Sequence, residues 1–220
     1  MKIKCAVFLV AMAACGKSDP ILPGVREPVF KGHELAISGK KHVSDLGDPI
    51  TTEQCNCRID EKNQIFCGKK RIFRGFATES VVSTPNGKKP LCSGGFVYGG
   101  LSTGELVKVS PSGYVEWAAD IFSEFAPTGG APFLDIVARP AAIGGFIYAG
   151  GLGDAFCKLR DKDGEKIWCL RISVQSIRIN RNFIVVEAAD GKVYAVSADN
   201  GRTYDLEGNE NDADKLSADS

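Results

Sequence analysis

The residues of this chain best suited to chemistry are its eight cysteines, whose spacing separates a terminal pair from a later group of six. Cys5 and Cys15 flank an apolar run near the N-terminus, while Cys55, Cys57, Cys67, Cys92, Cys157 and Cys169 are spread through the body of the sequence. An even number of cysteines in an exported chain permits disulfides. Buried free thiols are the alternative, because Cys also packs as a small hydrophobe. Cys157 and Cys169 flank an Asp-Gly turn and are placed to pair across neighbouring strands; Cys55 or Cys57 is close enough in sequence to meet Cys67. No metal site is assigned, since Cys55-x-Cys57 with Cys67 has neither the paired C-x-x-C spacing nor the nearby histidines of a structural zinc centre.

No catalytic residue is assigned either. His33 and His42 are the two histidines, and neither has a Ser or Cys motif beside it, so both read as solvated side chains. Asp161-Lys-Asp163-Gly164-Glu165 has the look of a calcium loop but lacks its third acidic position and its distal Glu, and a hairpin turn accounts for it. The glycines at 99, 100, 104, 144, 145 and 153 lie between strand-like runs and open no helix, so they cradle no phosphate. Lys69-Lys-Arg71 with Arg74 reads as a solvated strand face, and a formal net charge of +0 argues against a nucleic-acid partner.

The elements that position these residues come from a repeat. Pro90-Leu-Cys-Ser-Gly-Gly-Phe-Val-Tyr-Gly-Gly100 returns as Pro140-Ala-Ala-Ile-Gly-Gly-Phe-Ile-Tyr-Ala-Gly150. Each copy continues into an alternating run, Leu106 to Ser110 and Phe156 to Arg160, and then a tryptophan, Trp117 and Trp168. A fainter third copy runs from Arg181 to Tyr204. Short apolar runs punctuated by Asp163-Gly164, Asp190-Gly191 and Asn200-Gly201 predict antiparallel meanders, since Gly supplies the positive φ of tight hairpin turns. One meander buries one side poorly, so copies at this period stack as propeller blades. Before the repeats, Glu34–Ser38, Gln64–Cys67, Lys70–Arg74 and Glu79–Ser83 are weaker strand candidates, belonging to one degenerate blade or the outer pieces of two.

The N-terminus is of another kind. Lys2 and Lys4 precede the uncharged run Ala6 to Ala14, too short to span a bilayer and matching a secretory signal. Ala13-Ala14-Cys15-Gly16 resembles the bacterial lipobox, with Met12 where that pattern prefers Leu. The resemblance implies diacylglycerol on Cys15, a membrane anchor, and sorting to the outer membrane because Gly rather than Asp follows the cysteine. The expected organisation is a signal peptide over 1–14, a lipidated Pro-rich tether over 15–30, a repeat domain over 31–206 and a disordered acidic tail over 207–220.

The units ending in Trp168 and the stretch Asp190-Gly-Lys-Val-Tyr-Ala-Val-Ser-Ala-Asp-Asn-Gly-Arg202 resemble the repeat of pyrroloquinoline-quinone-type β-propellers. With the lipobox, the tether and Ser102-Thr-Gly-Glu-Leu-Val-Lys108, the likeness narrows to the BamB-like lipoproteins of the outer-membrane β-barrel assembly machinery, an eight-bladed family. The resemblance covers Pro90 to Tyr204. The roughly 205 residues left after the signal hold about four to five blades of 40 to 50 residues, so the expected fold is all-β, a partial or reduced propeller of four-stranded antiparallel blades.

The resemblance implies a non-enzymatic scaffold without cofactors, lipid-anchored on the periplasmic face of the outer membrane. Its partner would be the central barrel-inserting subunit, bound through that subunit's polypeptide-transport domains. Asp135 of Asp135-Ile-Val-Ala-Arg-Pro140 matches an acidic position of the family's partner-facing loop, whose second acidic position is Val137 here. The alternatives are an anchored propeller that binds another envelope protein, or a relative of quinone-dependent dehydrogenases. The adjacent Cys-Cys pair of those enzymes is missing here.

Overall fold

The computed structural model describes residues 33–46, 49–50, 55–75, 88–123, 125 and 134–207. Strands β1 (His33–Glu34) and β2 (Ile37–His42) and a 3₁₀ turn (Val43–Leu46) precede four sheets. Blade 1 is β3 (Cys57–Ile59), β4 (Gln64–Cys67) and β5 (Lys70–Arg74). Blade 2 is β6 (Leu91–Ser93), β7 (Phe96–Gly100), β8 (Glu105–Val109) and β9 (Val115–Asp120). Blade 3 is β10 (Ala141–Ile143), β11 (Phe146–Gly151), β12 (Ala155–Arg160) and β13 (Lys166–Arg171). Blade 4 is β14 (Val174–Asn180), β15 (Phe183–Ala188), β16 (Val193–Ser197) and β17 (Thr203–Glu207). This is a partial β-propeller, with four blades among the described residues.

The copied sequence folds into copied geometry. Gly94-Gly95 and Gly144-Gly145 both carry positive φ, which two-residue hairpins with the right-handed twist require, and they join β6 to β7 and β10 to β11. In the third copy Arg181 takes the first of these places at φ 44°. The strand candidates Gln64–Cys67 and Lys70–Arg74 are β4 and β5. The signal peptide, the tether, the tail from 208 onward and the candidate strand at Glu79–Ser83 lie outside the described residues.

One feature departs from the expected antiparallel meanders: the Glu34–Ser38 candidate splits into β1 and β2, which join blades 3 and 4 in parallel. Blade 1, in the region expected to hold a degenerate blade, shows three strands among the described residues. β1 runs along β13 and β2 along β17, covering two outer strands whose edges would otherwise present open backbone groups.

Strands expected to alternate are instead buried on both faces. β12 has five consecutive buried residues, because blade 3 lies between blades 2 and 4. One apolar cluster fills each gap: Ile59, Ile65 and Ile72 against Val97, Val107 and Val109; Leu91, Leu106 and Trp117 against Ile147 and Leu159; Phe156 and Trp168 against Ile184 and Val196. The outer face of blade 4, with Val185, Ala195 and Tyr204, is covered by Leu46 of the 3₁₀ turn.

A glycine in the hairpin after each third strand packs on an outer-strand residue of the preceding blade. A Cβ on Gly113 would lie 3.0 Å from the Ile72 carbonyl oxygen, one on Gly164 2.7 Å from the Trp117 ring, and one on Gly201 3.2 Å from Trp168. Gly164→Ala is therefore expected to lower stability by about 1 kcal/mol or more for its positive φ plus a further 1–3 kcal/mol for overpacking against Trp117. Gly191→Ala, at φ 82° with no atom within 4 Å of the added methyl, keeps only the first cost. Urea midpoints of the two variants check the order, and equal shifts would show that the Trp117 contact carries no weight.

Candidate functional site

Because the strands alternate in direction, the turns after the first and third strands of a four-stranded blade share one end of the stack, and the turn after the second strand lies at the other. At the first end, side chains of one blade grip the next. Tyr98 on β7, Lys108 on β8 and Trp117 on β9 stand side by side in register. Tyr98 donates to the Asp161 carboxylate at 2.5 Å, Lys108 donates to the same carboxylate at 2.7 Å and to the Asp161 carbonyl at 3.0 Å, and Trp117 Nε1 donates to that carbonyl at 2.8 Å. Asp163 caps its own turn, accepting from the Glu165 amide at 3.1 Å, and pairs with Arg160. The acidic cluster of the sequence is thus a docking turn.

The next interface repeats the arrangement with Tyr148, Lys158 and Trp168. Tyr148 and Lys158 donate to the Ala198 carbonyl at 3.2 and 2.6 Å, while the buried Trp168 Nε1 has no hydrogen-bond partner. Each lysine also lies over a ring, Lys108 4.3 Å from the Phe96 centroid and Lys158 4.0 Å from Phe146. Burial of an ammonium costs several kcal/mol, so these oxygens and rings are what make two interior lysines tolerable. Burial lowers the Lys158 pKa, and the charge of Asp199 opposes that.

At the opposite end a polar chain crosses three blades. Lys88 Nζ donates to Asp135 Oδ1 and, at 3.2 Å, to Ser102 Oγ; the Ser102 amide and hydroxyl both donate to Asn63 Oδ1, at 2.8 and 3.0 Å. Asn63 belongs to the β3–β4 turn, Ser102 to the β7–β8 turn, and Asp135 precedes β10. All four are buried. Burial pulls the Lys88 ammonium down to about 8. Asp135, which the resemblance placed on a partner-facing loop, is 2% exposed and turned inward, with Oδ2 buried and unpartnered.

The cysteines form three disulfides: Cys57–Cys67 within blade 1, Cys157–Cys169 within blade 3, and Cys55–Cys92 between blades 1 and 2. The Cys157–Cys169 and Cys57–Cys67 pairs were among the expected ones, whereas Cys92 as a partner carried no signal in the sequence, being 37 residues from Cys55. The sulfurs of Cys55, Cys57 and Cys92 lie within 4.8 Å of one another, a spacing able to hold a metal, but as disulfides they offer no thiolate. Cys15 lies outside the described residues, as do the side chains of His33 and Glu34; His42 is exposed. Lys69, in the turn before β5, and Lys70, Arg71 and Arg74, on it, are exposed, with Arg71 donating to Gln64. Sequence reasoning missed Lys88, Lys108, Lys158 and Tyr114; equal spacing of Lys108 and Lys158 within the copies was the available sign. Tyr114, in the hairpin before β9, is 75% exposed beside Val115 at 47%.

No protein-family model and no curated protein matches the chain. Solved structures do match, at low identity. BamB from Moraxella catarrhalis is 15% identical over 77% of this chain and 52% of its own, with a TM-score of 0.46. The quinohemoprotein alcohol dehydrogenase ADHIIG from Pseudomonas putida HK5 is 21% identical over 52% of this chain and 19% of its own, TM-score 0.45. The computationally designed Ika8 protein is 14% identical over 74% and 49%, TM-score 0.49. The chain thus spans between about a fifth and about half of the structures it matches.

Replacing Lys88 by Met is expected to cost about 3–5 kcal/mol by leaving the Asp135 carboxylate buried and alone, and adding Asp135→Leu is expected to recover much of that loss. Denaturant midpoints of the two single variants and the double variant check this; additive losses would show that the pair is not coupled. A second expectation concerns alkaline pH. Burial, then the hydrogen bond and charge of Asp161, raise the Tyr98 pKa above the ordinary 10.0, and burial with the charge of Asp199 does so at Tyr148. A raised folded-state pKa stabilises fully below pH 10 and is lost progressively above it. Phenolate absorbance should therefore leave at least two tyrosines silent until the protein unfolds cooperatively.

Proposed function

We propose that this chain is a non-enzymatic lipoprotein scaffold on the periplasmic face of the outer membrane, serving assembly and insertion of β-barrel proteins. In this reading Cys15 carries the acyl anchor, residues 16–30 hold the propeller off the bilayer, and the propeller docks the polypeptide-transport domains of the central barrel-inserting subunit. The lipobox and the copied blades of the sequence support it. The structural observation that supports it most is where the polar interior goes. Lys88, Asp135, Lys108 and Lys158 are all spent joining one blade to the next, which makes a stiff body rather than a reaction centre.

With Asp135 turned inward, direct docking falls to surface groups, and Tyr114 with Val115 is the exposed apolar pair that hairpin geometry sets out from the stack. Tyrosine suits such a role, because it supplies a large contact area with few rotatable bonds.

The test uses the full chain in its own envelope. Labelled palmitate should enter the wild type and not Cys15→Ala, which should also leave the membrane fraction. A photo-crosslinking residue at position 114 should capture the barrel-inserting subunit. Absence of label would remove the anchor from the proposal. A reproducible crosslink to a different envelope protein would replace the barrel-assembly role with the alternative of another binding partner.

A further inference from the structure

Two disulfides meet at the junction of blades 1 and 2. Cys55, just before β3, is bonded to Cys92 on β6, and Cys57 on β3 is bonded to Cys67 on β4. The Sγ atoms of Cys57 and Cys92, one from each disulfide, approach to 3.9 Å, and all four residues are half-buried. The third disulfide, Cys157–Cys169, has both residues 0% exposed.

We propose that this four-sulfur cluster is a thiol-exchange site that captures a thiol, of a small molecule or of a protein, as a mixed disulfide. The 3.9 Å approach makes Cys57 and Cys92, the inner pair of the exchange, the alternative bond, which leaves the outer pair, Cys55 and Cys67, as the points of attack. An incoming thiol loses its proton to solvent and attacks Cys55; the Cys55–Cys92 bond breaks and its electron pair leaves on Cys92. That thiolate faces Cys57 at 3.9 Å and attacks it, forming Cys57–Cys92 and expelling Cys67 as a thiolate that takes a proton from solvent. Attack at Cys67 runs the same steps in mirror order and expels Cys55. Either way two disulfides and one thiol become two disulfides and one thiol, so no oxidant or reductant is consumed.

The rearranged bond has a structural consequence. Cys57 lies in blade 1 and Cys92 in blade 2, so the product still ties the two blades together while an outer cysteine carries the adduct. Capture therefore proceeds without undocking blade 1. A cation shares the face of Cys67 and favours a thiolate there, because Lys70 is paired opposite Cys67 in the sheet.

The test treats the native wild-type chain with reduced glutathione at mildly alkaline pH, quenches in acid, alkylates free thiols and maps the cross-linked peptides. The expected product links Cys57 to Cys92, carries glutathione on Cys55 or Cys67 and the alkyl group on the other outer cysteine. It should exceed any species alkylated at Cys92 by roughly tenfold or more, because the second attack is intramolecular. Cys157–Cys169 should survive as an internal control. Glutathione uptake with Cys92 or Cys57 alkylated and no Cys57–Cys92 peptide overturns the proposal, as does failure to take up glutathione at concentrations that exchange free cystine. In the double variant Cys57→Ser, Cys67→Ser, glutathione on Cys55 should leave Cys92 alkylated; alkylation of Cys92 at the same low level as in the wild type would also overturn it.

Discussion

The structure depends on the burial of a lysine between two sheets. Lys108 and Lys158 sit in the middle of otherwise apolar faces, 6% exposed, where an unpaired ammonium would cost several kcal/mol. Each reaches a backbone carbonyl of the following blade, and a tyrosine and a tryptophan on the flanking strands frame it. Apolar contact alone is non-directional and would let neighbouring sheets slide. A lysine that must find one carbonyl fixes the register between blades, and a tryptophan stacked on a turn glycine fixes their separation.

Blade 4 lacks the device. In blade 4 the residues in the same three positions are Val185, Ala195 and Tyr204. No lysine is buried there, and the face is closed by Leu46, with Lys41 over the rings of Phe183 and Tyr204 at 4.8 and 5.0 Å. β2 completes the closure by pairing with β17. The segment before the first blade therefore covers the last one, a solution to the edge problem that needs only one turn and one strand.

The two ends of the stack are held by different chemistry. One end relies on carbonyls and a half-buried carboxylate of hairpin turns together with the Cys55–Cys92 bond, the other on the buried chain from Asn63 to Asp135. Both are internal fastenings. A body locked this way suits a surface that presents loops to a partner, and the covalent tie at blade 1 sits where the apolar interface is built from the smallest residues, isoleucines and valines without a tryptophan.

Sequence alone was enough for the all-β class, the antiparallel meanders and the identity of the turns, because positive-φ glycines and period-two patterns are local properties of the backbone. It also showed the copies of the unit, and with them the two tryptophans that lock blades. It could not show that Asp135 turns inward to Lys88, that Cys92 reaches Cys55, or that β1 and β2 run parallel to outer strands. Each of those facts joins residues far apart in the chain, and the partner of a buried charge, a thiol or a sheet edge is chosen by which blade stands beside it. Local sequence determined what each blade is; only the packing of blades decided what each buried polar group meets.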